Sequence, residues 1–337
     1  MSAVARSTFE APEDSRVSRL PTFAWGVLAY NLVVILWGAF VRATGSGAGC
    51  GKHWPLCNGD VVPHAPSTAT MIEASHRVTS GIAAFLVLGL VIWTMRALPK
   101  GHRARRAAIL SGVFILGEVV IGAGLVLFEL VAHDASMKRG LSMMMHLGNT
   151  FLLLGALAIT AWTLRPRASG LGQQTKREPA PRLLRIATTI ALVSVLALAS
   201  SGGIAALGDT LFPSHSLREG LAQDLSPLAH VFLRLRVLHP MIALATGIIV
   251  FATATLARVV EPSPIVKKLS RGLTVLFVVQ FAAGLLNVSL LAPVWMQLVH
   301  LLLADLTWIV LVLLTWEARW GAMPSLPVAD REAGRSS

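Results

Sequence analysis

The chain has 337 residues, of which 54% are hydrophobic and 14% charged, and its mean hydropathy is +0.67; this composition excludes an ordinary soluble domain. The net charge of +12 would suit a nucleic-acid-binding protein. However, the basic residues lie in clusters between long apolar runs, which is the pattern of a membrane protein with positive loops on one side. The sequence has no base-stacking motif and no basic helix, so we exclude nucleic acid as a ligand.

Eight segments are long and apolar enough to cross about 30 Å of hydrocarbon. Because backbone polar groups inside a bilayer must bond to one another, each of these runs is predicted to be a helix. The sequence therefore predicts an all-α integral membrane protein that contacts the lipid bilayer along eight transmembrane helices. The predicted spans are Thr22–Val41, Thr68–Met95, Ala107–Phe128, Gly140–Thr163, Leu183–Ala206, Ala229–Ala257, Gly272–Ala292 and Val294–Trp316.

The connections between the spans alternate between rich and poor in Lys and Arg. One side of the membrane receives both tails and the connections after spans two, four and six, and this side holds most of the 29 basic residues. By the positive-inside rule, both termini are predicted to be cytoplasmic. Acidic residues near the N-terminus argue against a transit peptide, and no cleavable signal is expected. We expect the bacterial cytoplasmic (inner) membrane as the location.

A linker rich in Pro, Gly, Lys and Arg divides the spans into two groups of four. This linker, residues 165–182, separates a predicted N-terminal four-helix bundle, residues 22–164, from a C-terminal four-helix bundle, residues 183–318. The predicted cytoplasmic tails are residues 1–21 and 319–337.

The two groups of spans resemble each other in sequence. Span three contains Glu118-Val-Val-Ile-Gly122, and span seven contains Gln280-Phe-Ala-Ala-Gly284 at the corresponding place. Histidines recur in the same order, in spans two and six and in spans four and eight. The common order predicts a duplication that gives two tandem bundles as a parallel internal repeat, related by an axis along the membrane normal.

Four of the ten histidines lie inside predicted spans, one in each even-numbered span. They are His76, His146, His239 and His300. Each lies about six to eleven residues from the start of its span, which at 1.5 Å per residue places all four in the outer third of the bilayer. A single intramembrane histidine is as often a packing residue as a functional one, but four at equal depth are better explained by metal ligation.

Haem iron takes two axial nitrogens from opposite faces, so facing helices must present histidines at one level. One histidine pair in each bundle therefore predicts two haem sites. A di-metal centre would need carboxylates beside the histidines. The Glu-x-x-His pattern that such centres use twice occurs once here, at Glu73–His76, and haem is the better interpretation.

The repeat also has informative asymmetries. Glu73 precedes His76 by three residues, whereas Arg236 stands at the corresponding position before His239. One site is thus predicted to have a carboxylate beside it and the other a cation. Glu73 could take protons or stabilise a developing positive charge. Alternatively, Thr70-Met-Ile-Glu73 could form a capping box at the start of span two, and the two interpretations are compatible.

Four arginines near the outer ends of the spans are candidate partners of haem propionates. They are Arg42, Arg77, Arg234 and Arg236. The alternative is that these side chains extend to the membrane interface without a specific ligand.

Cys50 and Cys57 are the only cysteines, and both lie in the first outer loop. Because that compartment is oxidising, a disulfide is expected rather than two free thiols. Zinc binding with His53 or His64 is the less favoured alternative. The sequence leaves open whether the pair is structural or cycles between redox states, and we slightly favour a redox role.

Together these residues resemble the haem A synthase family, in its subgroup with a cysteine pair. The Glu-x-x-His-Arg segment combined with the paired cysteines is the specific part of the resemblance, which covers about residues 22–318. The matching segments are Arg42-Ala-Thr-Gly-Ser-Gly, Cys50 with Trp54-Pro55-Leu56-Cys57, Glu73-Ala-Ser-His76-Arg77, His146-Leu147, His239 and His300-Leu301.

The resemblance implies an enzyme that oxidises a ring methyl group of haem O to a formyl group, giving haem A for haem-copper oxidases. It implies that His239 and His300 are the iron ligands of a haem b cofactor. It also implies that His76 and His146 bind the substrate haem and that Glu73 is the catalytic carboxylate. Haem O synthase would supply the substrate, and the electron acceptor is left unidentified. The second half lacks the cysteine pair and the Arg-x-Thr-Gly turn, which agrees with unequal roles for the halves.

Two other functions fit four intramembrane histidines. A bis-histidine dihaem cytochrome b would transfer electrons from quinol across the membrane, but this needs haems at different depths, whereas the histidines are predicted at one depth. A haem transporter would deliver unmodified haem to an outer protein. The enzyme is the favoured interpretation.

Overall fold

A computed structural model describes residues 15–165 and 180–320 of the chain. Within these residues the protein is helical throughout, with nine α-helices, one 3₁₀ turn and no strand longer than an isolated bridge. The α-helices are α1 (Ser15–Ala43), α2 (Thr68–Ala97), α3 (Arg103–Leu127), α4 (Met137–Leu164), α5 (Arg182–Leu211), α6 (Leu217–Leu225), α7 (Val231–Val260), α8 (Pro264–Ser289) and α9 (Val294–Trp320).

Eight of these helices are long and apolar enough to cross a membrane, and they coincide with the eight predicted spans. The all-helical multi-pass architecture is therefore confirmed. Helix α1 begins at Ser15, inside the predicted tail 1–21. Most of that tail, most of the predicted linker 165–182 and most of the tail 319–337 lie outside the described residues. Helix α6 was not predicted, and it is a short helix in the connection between α5 and α7.

The membrane helices pack as two groups of four. In the N-terminal bundle, α1 packs on α2, α2 on α3, α3 on α4 and α4 on α1; in the C-terminal bundle, α5 packs on α7, α7 on α8, α8 on α9 and α9 on α5. The two bundles meet where α4 contacts α5 and α9, and where α1 contacts α9. This packing is what a duplication of a four-helix unit predicts, while the duplication itself and the orientation of the termini remain predictions.

The centre of the molecule lies between α4 and α9, whose most apolar stretches are 56% and 50% buried, against at most a third for any other span. Phe151 of α4 is fully buried, and its carbonyl oxygen accepts a hydrogen bond from Trp308 Nε1 of α9. Close approach is possible here because Gly155 faces the Trp308 indole. Since lipid tails are as apolar as leucine, such packing and hydrogen bonding stabilise helix contacts inside a membrane.

Successive spans alternate in direction, so the bundle has two distinct ends. The disulfide end contains the 3₁₀ turn Ser46–Ala48, the Cys50–Cys57 loop, α6 and the starts of α2, α4, α7 and α9. The opposite end, which we call the linker end, contains the starts of α3, α5 and α8. All four intramembrane histidines lie near the disulfide end, because each follows the start of an even-numbered span by about two turns.

Candidate functional site

The first histidine pair lies between α2 and α4. The imidazole of His76 packs against α1 at Gly38, where a Cβ atom would lie 2.8 Å from His76 Cε1. Only glycine therefore leaves room for the ring in this position. His146 is close enough to His76 for the two side chains to interact electrostatically. Nδ1 of His76 is buried and has no hydrogen-bond partner within the described residues.

The second pair lies between α7 and α9. The ring centroids of His239 and His300 are 6.5 Å apart, and the ring planes cross at 84°. Each ring packs against a glycine of a neighbouring helix, since a Cβ at Gly202 would lie 3.1 Å from His239 Cε1 and one at Gly284 would lie 2.9 Å from His300 Cε1. The Oγ atom of Ser201 is 2.9 Å from His239 Nδ1.

These donor sets fit a haem iron with two axial imidazoles. Metal–nitrogen bonds of roughly 2 Å, with about 1 Å more from each nitrogen to its ring centre, span about 6 Å between centroids. The separation of His239 and His300 matches that span. His76, His146 and His300 each bury an Nδ1 atom that has no hydrogen-bond partner in the described part of the protein, so the polar capacity of these rings is not fully used by protein groups. The second pair is therefore spaced to hold a haem iron, and the first pair presents the same two donor groups.

The predicted disulfide between Cys50 and Cys57 is confirmed. Its loop lies directly on the first turn of α2, because a Cβ at Gly49 would lie 2.4 Å from the carbonyl carbon of Ala69. The hydroxyl of Thr70 donates a hydrogen bond of 2.8 Å to the Gly49 carbonyl oxygen. Glycine at position 49 thus lets the two backbones touch. Among the described residues, no cluster of three or more His, Cys, Asp or Glu side chains is placed to share a metal ion.

Glu73 joins this loop to the first histidine pair. Its side chain is buried, and Oε2 accepts a hydrogen bond of 2.8 Å from the backbone N–H of Cys50. Its other oxygen, Oε1, accepts from Arg77 Nη2 at 2.6 Å. Arg77 in turn donates to the carbonyl oxygens of His53 and Leu56 in the loop. The carboxylate is therefore held from both sides, one turn of α2 from His76.

The predicted capping box at Thr70–Glu73 is not formed. Ser67 is the N-cap of α2, and its hydroxyl oxygen accepts from the Thr70 backbone N–H at 3.2 Å. The carboxylate of Glu73 bonds instead to Cys50, a residue of the disulfide loop that lies far from the helix in sequence.

The four arginines proposed to bind propionates all have protein partners. Arg42 donates to Ala206, Thr210 and Gln297 of the C-terminal bundle. Arg77 bonds to Glu73 and the disulfide loop, and Arg234 donates to the Pro227 carbonyl oxygen. Arg236 forms ion pairs of 2.8 Å with Asp209 and 2.6 Å with Asp224. Their role toward propionates remains a prediction.

One residue at the first pair was missed by the sequence argument. Glu118 of α3 places Oε2 at 3.1 Å from His146 Nδ1, an ion-pair distance at which the ring N–H is not aligned for a hydrogen bond. Its Oε1 accepts hydrogen bonds from Asn149 and Thr150 of α4. The signal was present in the sequence, because a carboxylate inside a predicted span is a functional candidate.

Comparison with known proteins finds relatives with two different names, protoheme IX farnesyltransferase and heme A synthase. A protoheme IX farnesyltransferase of Thermus thermophilus is 48% identical over 301 residues, covering 89% of this chain and 48% of that relative. A heme A synthase of Exiguobacterium sibiricum is 33% identical over 167 residues, covering 50% of this chain and 52% of that relative. A heme A synthase of Bacillus mycoides is 44% identical over 112 residues, covering 33% of this chain and 36% of that relative.

The chain spans about half the length of the first two of these relatives. The sequence model of the cytochrome oxidase assembly protein family matches residues 21–312, which is nearly the whole membrane domain. The protein therefore belongs to the cytochrome oxidase assembly protein family.

Proposed function

We propose that the protein is a haem A synthase, which oxidises a ring methyl group of haem O to a formyl group and so provides haem A for haem-copper oxidases. The observation that carries the proposal is the pair of two-histidine sites, of which only the first has a buried carboxylate, Glu73, one helical turn before a histidine of the pair. Relatives named heme A synthase that share the family support the same reaction.

The two sites take different roles in this proposal. His239 and His300 would hold the iron of a resident haem b, and His76 and His146 would hold the iron of the substrate haem. The resident haem supplies one-electron redox chemistry when bound. In the C-terminal bundle the chain itself limits the position of both imidazoles through glycine contacts, at Gly202 for His239 and at Gly284 for His300.

Glu73 would act on the substrate as the proton acceptor. With water as the oxygen donor, conversion of the methyl group to a formyl group releases four protons and four electrons; an external acceptor would take the electrons, and a carboxylate held beside the site would take the protons. The hydrogen bond from Cys50 N–H and the ion pair with Arg77 hold this carboxylate in one orientation. A fixed negative charge also stabilises positive charge that develops on the substrate.

The substrate would come from a second membrane enzyme. The relative from Thermus thermophilus is named for transfer of a farnesyl group to protohaem, and the similarity covers 48% of its length. That relative therefore has room for a further domain beside the one shared with this chain. We propose a haem O-forming farnesyltransferase as the partner, in a bacterial inner membrane with the disulfide end of the bundle outside.

Analysis of extracted haem tests the proposal. The full-length protein is expressed in cells that contain a source of haem O, and its haems are extracted and separated. We expect a formyl-bearing haem with a red-shifted spectrum in cells with the wild-type chain, and none with His76→Ala. Extraction of haem O alone from folded, haem-loaded wild-type protein would contradict the proposal.

A further inference from the structure

We propose that Glu118 is a positioning residue that orients His146 and gives the haem iron of the N-terminal bundle a higher electron density than that of the C-terminal bundle. The inference rests on the proposed function only in that His146 is taken to bind haem iron. Glu118 acts through the imidazole and is not itself a ligand.

The contacts of Glu118 aim its second oxygen at His146. Oε1 accepts a hydrogen bond of 2.6 Å from Asn149 Nδ2 and lies 3.1 Å from Thr150 Oγ1, whose single proton it shares with the His146 carbonyl oxygen at 2.9 Å. The bond from Asn149, with Thr150 beside it, fixes the rotation of the carboxylate and leaves Oε2 facing the ring, 3.1 Å from His146 Nδ1. Since Asn149 and Thr150 follow His146 by three and four residues on α4, ligand and donors lie on adjoining faces of one helix.

The packing of α3 on α4 is built to allow these contacts. A Cβ at Gly117 would lie 2.7 Å from Asn149 Oδ1, so a larger residue there would displace the amide. Asn149 Nδ2 donates also to the Phe114 carbonyl oxygen at 2.8 Å, which uses its remaining N–H. Both N–H groups of the Asn149 amide are therefore used, one for the α3 backbone and one for Glu118.

The C-terminal bundle has none of these groups. In the aligned segments, Gln280 stands where Glu118 does and Val279 where Gly117 does. Gln280 Nε2 lies 3.3 Å from His300 Nε2, so the neutral amide contacts the second ring as a donor. The residues three and four positions after His300 are Leu303 and Ala304, which offer no side-chain donor. The combination of carboxylate, donors and glycine at these positions is thus present beside His146 and has no counterpart at the equivalent positions beside His300.

The physical consequence concerns the iron. A carboxylate oxygen 3.1 Å from the outer nitrogen of a ligating histidine stabilises positive charge on that ring, and this raises the basicity of the nitrogen that binds the metal. A more basic ligand stabilises the more oxidised metal ion and lowers its reduction potential. An uncharged amide that donates to the ring has no such effect. We therefore expect the haem at His76 and His146 to have a lower reduction potential than it would have with an uncharged residue at position 118.

Reciprocal exchange of the two residues tests this inference. The full-length protein is loaded anaerobically with haem O, and each haem is titrated potentiometrically by absorption, with His146→Ala and His300→Ala used to assign the signals. Glu118→Gln should raise the reduction potential of the N-terminal haem by about 59 mV or more. For a one-electron couple this shift is a tenfold change in the ratio of oxidised to reduced haem. Gln280→Glu should shift the C-terminal haem in the opposite direction.

An unchanged N-terminal potential in Glu118→Gln, at full haem content, overturns the inference. If Glu118→Gln loses its haem, the variant Asn149→Ala is used instead. Loss of this one donor to Glu118 should raise the potential of the N-terminal haem by a smaller amount. An unchanged potential in Asn149→Ala would then overturn the inference. Failure of the proposed function gives different results, namely wild-type protein that leaves haem O unconverted, or His146→Ala protein that retains the N-terminal haem unchanged.

Discussion

The side chain of Glu73 connects two features that the sequence presents separately, the cysteine loop and the first histidine pair. Both carboxylate oxygens are engaged, one by Cys50 N–H and one by Arg77. This arrangement keeps a charged group ordered in a buried position without a bound substrate. A group that is already oriented contributes more to a reaction than one that must be ordered during it.

Replacement of Glu73 by Gln removes the charge of the side chain and keeps its shape. Gln can still accept a hydrogen bond from Cys50 N–H but cannot accept protons or pair with Arg77. We expect both haems to remain bound while formation of the formyl haem falls at least about 100-fold, the range for loss of a general base. The measurement is haem extraction from the variant, with the exposed Glu129→Gln as a control expected to behave like the wild type. Wild-type turnover in Glu73→Gln would refute the catalytic role.

At this scale, sequence identified the residue types but not all of their contacts. The four histidines were found because intramembrane histidines are rare and their spacing repeats. The bond from Cys50 to Glu73 could not be found, because it depends on how a loop folds back onto a helix. The capping box at Thr70 was wrong because Ser67, one residue before the helix, took the capping position. Glu118 entered the sequence argument only as part of the repeat, because nothing in its position on the chain tied it to His146.

At the scale of helices, glycines decide where the histidines can lie. Gly284 of α8 leaves room for the His300 ring, whereas Gly272 of the same helix has nothing within 4 Å of the place where its Cβ would lie. The sequence could predict the helices from their apolar length, but it could not predict which of 28 glycines face a ring. That depends on the rotation of each helix in the bundle.

Gly284→Ala and Gly272→Ala therefore form a matched pair. The new methyl group at 284 would lie 2.9 Å from His300 Cε1 and must displace the ring, so we expect a reduced ratio of haem to protein in the C-terminal bundle. Alanine at 272 should leave haem content unchanged and stabilise the helix by about 0.5–1 kcal/mol. Haem and protein are quantified in the same purified samples. Equal haem content in the two variants would show that Gly284 does not position the ligand.

The start of α3 should respond to pH. His102 is the N-cap, and its Nδ1 accepts a hydrogen bond of 3.1 Å from Ala104 N–H. Burial lowers the pKa of His102 below its ordinary value of 6.5, so the folded protein favours the neutral ring, and only the neutral ring can accept at Nδ1. The stabilisation is present above pH 6.5 and is lost as the pH falls through the lowered pKa.

His102→Ser supplies a cap that does not titrate in this range. Relative to this variant, the wild type should lose about 1 kcal/mol of stability, the usual contribution of a cap, as the pH falls from neutral to acid. The measurement is thermal unfolding at a series of pH values. The exposed loop residue His64 provides the control, since His64→Ser should leave the pH profile unchanged. A constant difference between wild type and His102→Ser at all pH values would contradict the prediction.

At the scale of the whole molecule, two bundles of similar design are joined along α4 and α9 and tied at the disulfide end by Arg42. The linker and the order of the histidines predict a division into four and four helices, and that division stays a prediction. The contact between the bundles was not predictable, because it is made by apolar helix faces that look like faces turned toward lipid. Arg42 shows the same limit, since its position suggested a propionate partner and its guanidinium bonds across the interface.

Arg42→Met tests which of these two roles dominates. Arg42 donates hydrogen bonds of 2.8 Å to the Ala206 carbonyl oxygen and 2.7 Å to Gln297 Oε1, so its loss removes the bonds that join α1 to α5 and α9 at this point. A bond to a charged group contributes about 1.5–3 kcal/mol, and we expect apo-protein stability to fall by at least that amount. Arg234→Met, which removes an exposed side chain bonded only to the Pro227 carbonyl oxygen among the described residues, should change it little. If Arg42 serves only a propionate, Arg42→Met will instead leave the apo-protein as stable as the wild type and weaken haem binding alone.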